Sequence, residues 1–187
     1  MPPSGNGGIA HPFVITEASE TGQIALQADG LTVTAFPVNH APVFPAVGYR
    51  FDYKGRSIVI SGDTAPSPVL THFATGVDVL FHEGLQPAMV SAIEQATRQA
   101  NRMTASKIMH DIPSYHTSPE DAARIAAKSG VGKLVIYHVI PPVPLAYLNA
   151  AFLGDAPKIF PSITVSTDGY MVSLLPGSRG ITTRELL

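Results

Sequence analysis

The chain has 187 residues, of which 45% are hydrophobic, so it has enough apolar mass for the core of one domain. Its net charge is −2 at pH 7 and its charged residues form no basic cluster, which excludes a broad electrostatic surface for nucleic acid or for an anionic membrane. Because it contains no cysteine, disulfides and thiolate metal sites are excluded, and a transition metal would need histidine and carboxylate ligands.

The sequence pattern predicts neither a membrane span nor a secretion signal. No apolar run approaches the about 18–20 residues of a membrane span. The start, MPPSGNGGIAHP, lacks the basic flank and apolar centre of a signal peptide. We expect a single soluble domain over residues 1–187, with residues 1–12 flexible, a cytoplasmic location by default and no membrane partner.

The first predicted elements are strands joined by short turns. The segments LTVTAFP (31–37) and AVGYRFDY (46–53) alternate apolar and polar residues, and Lys54-Gly55 follows as a tight turn. SIVIS (57–61) and VDVLFH (77–82) are short apolar strands. Between those two strands, Ser67 and Pro68 predict the start of a helix that ends near Gly76.

Helices and strands alternate in the rest of the chain. Apolar residues at helical spacing predict a helix over 87–103, and a serine cap, a first-turn proline and a terminal glycine predict another over 118–130. KLVIYHV (133–139) is a strand that ends at His138, and residues 163–175 form a hairpin around Asp168-Gly169. This alternation predicts an α/β fold (α+β by some schemes) with a mixed sheet.

Three polar residues, His40, Asp63 and His138, follow or end predicted strands. Ligands bind at that edge of α/β sheets. Imidazole and carboxylate groups suit zinc, which converts bound water into a nucleophile near neutral pH. Taken singly, each residue has a structural alternative, since a histidine near an apolar strand is more often a hydrogen-bonded structural residue and an aspartate in SGDT is more often a turn cap.

Glu83 in FHEG and His116 in YHTS are expected beside loops on the same edge. A carboxylate that contacts an imidazole fixes its tautomer and prepares it to donate a proton to a leaving oxygen. The structural alternative is an ordinary salt bridge between loops.

Four segments occur in order across residues 31–140: FPVNHAPVFPAVGYRF, GRSIVISGDTAP, VDVLFHEG and YHTSPEDAARIAAKSGVGKLVIYHV. Together they resemble the metallo-β-lactamase superfamily, in the branch that contains the tRNA 3′-processing ribonuclease Z and arylsulfatase-like hydrolases. The resemblance implies an αββα sandwich and two zinc ions, with manganese or iron as substitutes. It implies that His40 binds one ion, Asp63 bridges both and His138 binds the other. Glu83 and His116 match the acid–base dyad of the ribonuclease Z-like branch.

One motif of the family, HxHxDH, does not occur in this chain, and the only histidine before His40 is His11. The chain therefore resembles the carboxyl-terminal half of a family member, with any signal peptide placed in the amino-terminal half. About four metal ligands are absent, so we expect metal occupancy to be weak, with one ion held jointly by His40, Asp63 and His138 as an alternative. An uncovered sheet face predicts a homo-oligomer or pairing with an amino-terminal half.

Two functions follow from these patterns. The first is a metal-dependent hydrolase that acts on a phosphoester, sulfoester or acyl ester through metal-activated water. A small ester is expected rather than RNA, because the tight turn in GYRFDYKGRSIVIS leaves no room for a tRNA-gripping insertion and the charge is not basic. The second is a truncated, non-catalytic module of the same fold that serves assembly or binding.

Overall fold

The computed structural model describes residues 21–187. The prediction of flexibility for residues 1–12, and His11 with it, lies outside this range. The strands are β1 (Gln23–Ala28), β2 (Leu31–Pro37), β3 (Val47–Tyr53), β4 (Arg56–Ile60), β5 (Val79–Leu85), β6 (Lys133–Ile140), β7 (Ile163–Val165), β8 (Tyr170–Ser173) and β9 (Thr182–Glu185). The helices are α1 (Pro68–Phe73), α2 (Pro87–Gln99), α3 (Met103–Asp111), α4 (Pro119–Ser129), α5 (Asn149–Leu153) and α6 (Ala156–Ile159). Helical turns at Ile112–Ser114 and Ala146–Leu148 precede α4 and α5.

Seven strands form one mixed sheet in the order β1-β2-β3-β4-β5-β6-β7. Neighbours from β1 to β4 are antiparallel, and neighbours from β4 to β7 are parallel. The predicted α/β class and mixed sheet are therefore confirmed. Since β2 runs in the same direction as β4, β5 and β6, the carboxyl ends of all four strands lie at one edge of the sheet, where the predicted site residues follow.

The core lies between one face of the sheet and the helices. Side chains from β2, β4, β5 and β6 pack there against α1, α4, α5 and α6, and the rings of Phe36 and Phe73 stack with centroids 4.3 Å apart. The largest members are fully buried: Phe36, Phe152, Leu70, Leu80, Leu134 and Ile136. On the other face, Tyr49, Phe51, Ile58 and Ile60 remain partly exposed. None of the helices within residues 21–187 is long and apolar enough to span a bilayer.

Two tight turns of the same kind join the antiparallel strands. Lys54 and Gly55, predicted as a turn, have φ of 48° and 76°, and they connect β3 to β4. Asp29 and Gly30 have φ of 51° and 81° and connect β1 to β2. Strand β1 was not predicted from the sequence. Positive φ at both central residues gives a turn whose twist matches that of the strands, and Asp-Gly is a strong signal for it.

The predicted helix over 87–103 is wrong in extent. Helix α2 ends at Gln99, and Asn101 takes a left-handed φ of 55° before α3 begins at Met103. The apolar spacing continues across this break, and α2 and α3 pack against each other. A left-handed residue ends the hydrogen-bonded ladder even where side-chain periodicity persists.

The predicted hairpin around Asp168-Gly169 is also wrong. Strand β7 pairs in parallel with β6 in the main sheet, whereas β8 pairs with β9 in a separate two-stranded sheet. The turn at Asp168-Gly169 therefore sends the chain from one sheet to the other. The neighbours of a strand are chosen by long-range pairing, which local turn chemistry does not determine.

Helix α4 agrees with its prediction. The Ser118 hydroxyl accepts a hydrogen bond from the Asp121 amide at 3.1 Å, and Gly130 ends the helix with a left-handed φ of 64°. The side chains of Ala122, Ala123 and Ala126 are fully buried against the sheet. This well-capped helix fixes the loop that precedes it, which contains His116 and Thr117.

A buried arginine ties the carboxyl-terminal segment to the sheet. Arg56 at the start of β4 donates hydrogen bonds to the carbonyl oxygens of Leu175, Ser178 and Gly180, and it forms an ion pair with Asp78. Partial burial alone raises the pKa of Asp78, but hydrogen bonds from Arg56 and from the Ser57 amide outweigh burial, so the pKa is lowered.

Replacing Asp78 with Asn should weaken this anchor. The lowered pKa means that the ionised carboxylate stabilises the fold fully above its unfolded pKa of about 3.9, and this contribution is lost as the pH falls through the folded pKa. We expect Asp78→Asn to lower the free energy of unfolding by about 1–3 kcal/mol at pH 7 and by much less in acid. Urea denaturation between pH 3 and pH 7 measures this difference.

Asp52→Asn is the matched control, because Asp52 pairs with Arg50 in a more exposed ion pair. That pair should contribute less than about 1 kcal/mol. Equal losses in the two variants would show that the Asp78 pair is an ordinary surface interaction.

Candidate active site

All five predicted site residues lie at the edge formed by the carboxyl ends of the strands. Asp63 follows β4, Glu83 lies in β5 and His138 lies in β6, while His40 and His116 come from the loops after β2 and before α4. The ring of His116 lies between two others, with its centroid 5.1 Å from that of His40 and 5.9 Å from that of His138. The topology thus brings together residues that are up to 98 positions apart in sequence.

Asp63 is presented by a tight turn after β4. Gly62 takes a left-handed φ of 65°, and a Cβ atom at this position would collide with the carbonyl oxygen of Val47 on β3. The turn is fixed further by the Ser61 hydroxyl, which accepts a hydrogen bond from the Glu83 amide at 3.0 Å. The carboxylate of Asp63 therefore leaves the strand end in a direction that the backbone determines.

His138 lies at a bulge in β6. Glu83 pairs with Tyr137 and Gly84 with Val139, so His138 has no partner on β5, and its φ is 46°. A left-handed backbone costs a residue with a Cβ about 1–2 kcal/mol, and bulges re-aim side chains near functional sites. Here Nε2 of His138 lies 3.4 Å from Oδ2 of Asp63, with both side chains half-exposed.

Glu83 is the buried charged residue of the site. Its side chain is fully buried, and its Oε1 accepts hydrogen bonds from the backbone amides of Thr117 at 2.9 Å and Thr64 at 3.3 Å. Burial of a carboxylate is costly unless hydrogen bonds replace its water, and bonds to an ionised acceptor are strong. This oxygen therefore connects the Asp63 loop to the His116 loop, together with the hydrogen bond that the Thr117 hydroxyl donates to the Thr64 carbonyl oxygen.

Glu83 also contacts His116. Oε1 of Glu83 lies 3.2 Å from Nδ1 of His116, although the angle at Nδ1 is not that of a hydrogen bond. The His116 side chain is buried, so water does not separate the two groups. This close contact limits the rotation of the imidazole and places a negative charge beside Nδ1, as the predicted acid–base pair requires.

His40 is oriented by a main-chain group. Its Nδ1 lies 2.9 Å from the carbonyl oxygen of Tyr115. A carbonyl only accepts, so Nδ1 carries the proton and Nε2 is left with its lone pair, which is the arrangement of a metal-binding histidine. The predictions for His40 are consistent with this orientation, and its role stays a prediction.

The metal ligands implied by the resemblance fit a metal centre only in part. Two ligands of a tetrahedral zinc ion, each about 2.0–2.1 Å from it, lie about 3.4 Å apart. Asp63 and His138 have that spacing. Within residues 21–187, however, no group of three or more His, Asp or Glu side chains converges to hold an ion. The structure places His40 beside His116, so the described residues supply one edge of a centre and not a closed shell around a single ion.

Several contributing groups escaped the sequence analysis. The amides of Thr64 and Thr117, the hydroxyl of Ser61 and the carbonyl of Tyr115 position the predicted residues. Main-chain groups have no sequence signature, so only the position of Thr64 and Thr117 beside Asp63 and His116 could have indicated them.

Two further titratable residues adjoin the site on β5 and β6. His82 is fully buried, its Nδ1 lies 2.7 Å from the Glu83 carbonyl oxygen, and burial lowers its pKa. Burial also raises the pKa of Tyr137, the neighbour of Glu83 across the strands. His82 is therefore neutral in the fold and Tyr137 keeps its hydroxyl proton.

Comparison with known proteins identifies the family. The family model described as "Beta-lactamase superfamily domain" matches residues 7–139. The chain therefore belongs to the metallo-β-lactamase superfamily. The crystal structure of the metallo-β-lactamase fold protein YhfI from Bacillus subtilis matches 76% of this chain and 49% of that protein, with 19% identity and a TM-score of 0.55, which supports the fold.

The sequence relatives fall in the ribonuclease Z branch. The chain is 33% identical over 167 residues to a ribonuclease Z of Mycobacterium sp. (strain KMS), covering 89% of this chain and 54% of that protein. It is 39% identical over 113 residues to a ribonuclease Z of Mycobacterium avium (strain 104), covering 60% of this chain and 36% of that protein. This chain thus spans about half, or less, of the length of these relatives.

These relatives correct one prediction. The expectation that a small ester is a better substrate than RNA is wrong, because the similar proteins are named as ribonucleases. The argument failed because it used the overall charge and the absence of an insertion in one hairpin. Neither of these describes the local site that contacts a substrate.

Substitution of Gly62 by Ala should disturb the Asp63 turn. The new Cβ would collide with the Val47 carbonyl oxygen in a left-handed conformation. We expect a loss of about 2–4 kcal/mol in the free energy of unfolding, because strain and a backbone shift add together. Gly55→Ala is the control, since its φ is 76° but nothing lies near its Cβ, so it should lose only about 1 kcal/mol. Equal losses in urea denaturation would contradict the packing argument.

Substitution of His138 tests the strain at the bulge. We expect His138→Gly to be more stable than His138→Ala by about 1 kcal/mol, because only glycine takes a positive φ without a Cβ clash. At Val139, in the same strand, the order should reverse, since glycine is weaker than alanine there. Chemical denaturation of the four variants measures both differences, and an alanine variant that is the more stable one at both positions would rule out strain at His138.

Proposed function

We propose that this chain carries the acid–base pair and part of the metal-binding set of a hydrolase that cleaves phosphodiester bonds in RNA. The observation that carries the proposal is the contact of His116 with buried Glu83, beside the Asp63–His138 pair at one sheet edge. His116 is a proton donor, and Asp63 and His138 have the spacing of two metal ligands. Hydrolysis that releases an alkoxide, a poor leaving group, needs both a proton donor and a metal-activated water.

Each side chain has a distinct part in this proposal. Asp63 and His138 would hold a divalent ion, zinc or manganese by the chemistry of the donors, and His40 would approach it through Nε2. When bound, such an ion supplies a nucleophilic hydroxide near neutral pH and neutralises charge on the phosphoryl group. His116 donates a proton to the departing oxygen, and Glu83 orients His116 and stabilises its protonated form.

The structure of the loops favours a preformed acid–base pair. Glu83 is fixed by two backbone amides, so its charge does not depend on a mobile partner. The likeness to ribonuclease Z proteins supports RNA as the substrate over a sulfoester or an acyl ester. Because this chain spans about half of the length of those proteins, further ligands of the centre would be supplied by another segment.

A second candidate function has its own support. The HxHxDH motif does not occur in this sequence, and this supports a truncated, non-catalytic module of the fold that serves assembly or binding. Metal-dependent hydrolysis separates the two candidates.

Activity should depend on Asp63 and His116 in different ways. With added zinc or manganese, we expect Asp63→Ala to abolish hydrolysis of both bis-p-nitrophenyl phosphate and an RNA oligonucleotide. His116→Ala should reduce RNA cleavage by about 10²–10⁴-fold, the usual contribution of a general acid. It should affect bis-p-nitrophenyl phosphate much less, because p-nitrophenolate leaves without protonation.

His72→Ala, at an exposed histidine of α1 outside the site, is the control and should retain the starting activity. Equal loss on both substrates in His116→Ala would contradict a proton-donor role. Absence of hydrolysis under every metal condition would favour the binding module.

Glu83→Gln separates orientation from folding. A glutamine oxygen can still accept from the Thr64 and Thr117 amides, whereas Glu83→Ala leaves both donors buried without a partner. We expect Glu83→Gln to keep most of the stability and Glu83→Ala to lose about 2–5 kcal/mol. RNA cleavage should fall in both, and full activity in Glu83→Gln would show that the charge of Glu83 is not used.

A further inference from the structure

We infer that the apolar cavity beside His40 is a subsite for one unpaired nucleobase of the RNA, adjacent to the bond that is cleaved. The inference rests on the proposed function and specifies how its substrate is recognised. The aromatic wall of this subsite is Phe44, which no step of the proposed chemistry uses.

The cavity has a volume of about 510 Å³ and shares His40 with the candidate site. His40 is part of its wall, together with Val38, Pro42, Val43, Phe44 and Val69. The same histidine therefore faces both the metal edge of the site and the cavity. A group that occupies the cavity would lie next to a phosphoryl group bound at the site.

The wall offers the surface that a base requires. Phe44 and Val43 are 50% and 57% exposed, so an aromatic ring and a branched aliphatic side chain face solvent at the rim of a pocket. Asn39 and Ser67 add neutral polar groups. The side chains named here, His40 aside, are uncharged, which suits a planar neutral base better than a phosphate. Bases stack on such rings largely without regard to sequence.

The loop that carries Phe44 is anchored to the Asp63 segment. The Ala65 amide donates to the Asn39 carbonyl oxygen at 2.7 Å, and the Asn39 amide donates to the Thr64 hydroxyl at 3.1 Å. The Val38 amide closes the loop on the Ala46 carbonyl oxygen at 3.0 Å. These hydrogen bonds therefore fix the position of the cavity rim relative to the carboxylate of Asp63.

A second cavity on the other side of the imidazole row supports a diester substrate. It has a volume of about 480 Å³ and is lined by residues that include Tyr137, His138, Asn149 and Asp168. His40 lines one cavity and His138 the other, with His116 between them. A phosphodiester carries a nucleoside on each side of phosphorus, whereas a monoester would need space on one side only. Both cavities have apolar and polar lining residues, and the base is placed in the first because the half-exposed ring of Phe44 lines it.

Tryptophan substitution provides a direct test, because the chain contains no tryptophan. Phe44→Trp places a single fluorophore at the proposed subsite. Tyr53→Trp is the matched control, since Tyr53 is 41% exposed at the opposite end of β3 from the site. Each variant is titrated with a single-stranded RNA oligonucleotide and with the same strand made abasic at every position.

We expect the base-containing RNA to quench the fluorescence of Trp at position 44 and not at position 53, and the abasic strand to quench neither. In fluorescence anisotropy with labelled RNA, Phe44→Ala should raise Kd about 5- to 100-fold, as for loss of one stacked base. Phe44→Tyr should retain the affinity, and Tyr53→Ala should leave Kd unchanged.

Equal quenching by the abasic strand, or an unchanged Kd in Phe44→Ala, would overturn the inference. So would quenching of Trp at position 44 by p-nitrophenyl acetate but not by RNA, which would assign the cavity to a small ester. Failure of the subsite can be distinguished from failure of the proposed function. If the proposed function is wrong, hydrolysis dependent on Asp63 is absent while base-dependent binding persists. If the subsite is wrong, cleavage still depends on Asp63 but is insensitive to Phe44.

Discussion

The buried carboxylate of Glu83 is the interaction on which the candidate site depends. One of its oxygens accepts amides from the loop that follows β4 and from the loop that precedes α4, and it contacts the imidazole of His116. A buried carboxylate needs such donors, and its hydrogen bonds act together with the one that the Thr117 hydroxyl donates directly to the Thr64 carbonyl oxygen. The relative positions of Asp63 and His116 are therefore a property of the folded sheet edge.

Elements with strong local signals could be predicted closely. Helix α4 has a serine cap, a first-turn proline and a left-handed terminal glycine, and it was placed to within one residue at each end. The gathering of Asp63, Glu83 and His138 also followed from sequence, because parallel strands present their carboxyl ends at one edge. What could not be predicted depends on distant partners: the choice of β6 as the neighbour of β7, the break at Asn101 and the Tyr115 carbonyl that orients His40.

Left-handed backbone conformations occur at two of the strand ends that carry candidate ligands. Gly62 and His138 both take left-handed conformations, one before Asp63 and one at the bulge in β6. Glycine adopts this conformation freely, but histidine does so against its own preference and is retained only because the flanking residues of β6 remain paired with β5. The paired residues on both sides of the bulge thus support a strained residue, and some stability is lost in order to fix the direction of its side chain.

Arg56 has a consequence for the order in which the molecule can assemble during synthesis. Its partner Asp78 lies 22 positions downstream, but the carbonyl groups that complete its hydrogen bonds lie 119 to 124 positions downstream. While the ribosome is still translating that interval, the guanidinium has only its carboxylate partner. The segment 175–180 can therefore bind Arg56 only after it has been synthesised. Contacts between residues so far apart in sequence form slowly, because closing a long loop has an entropic cost.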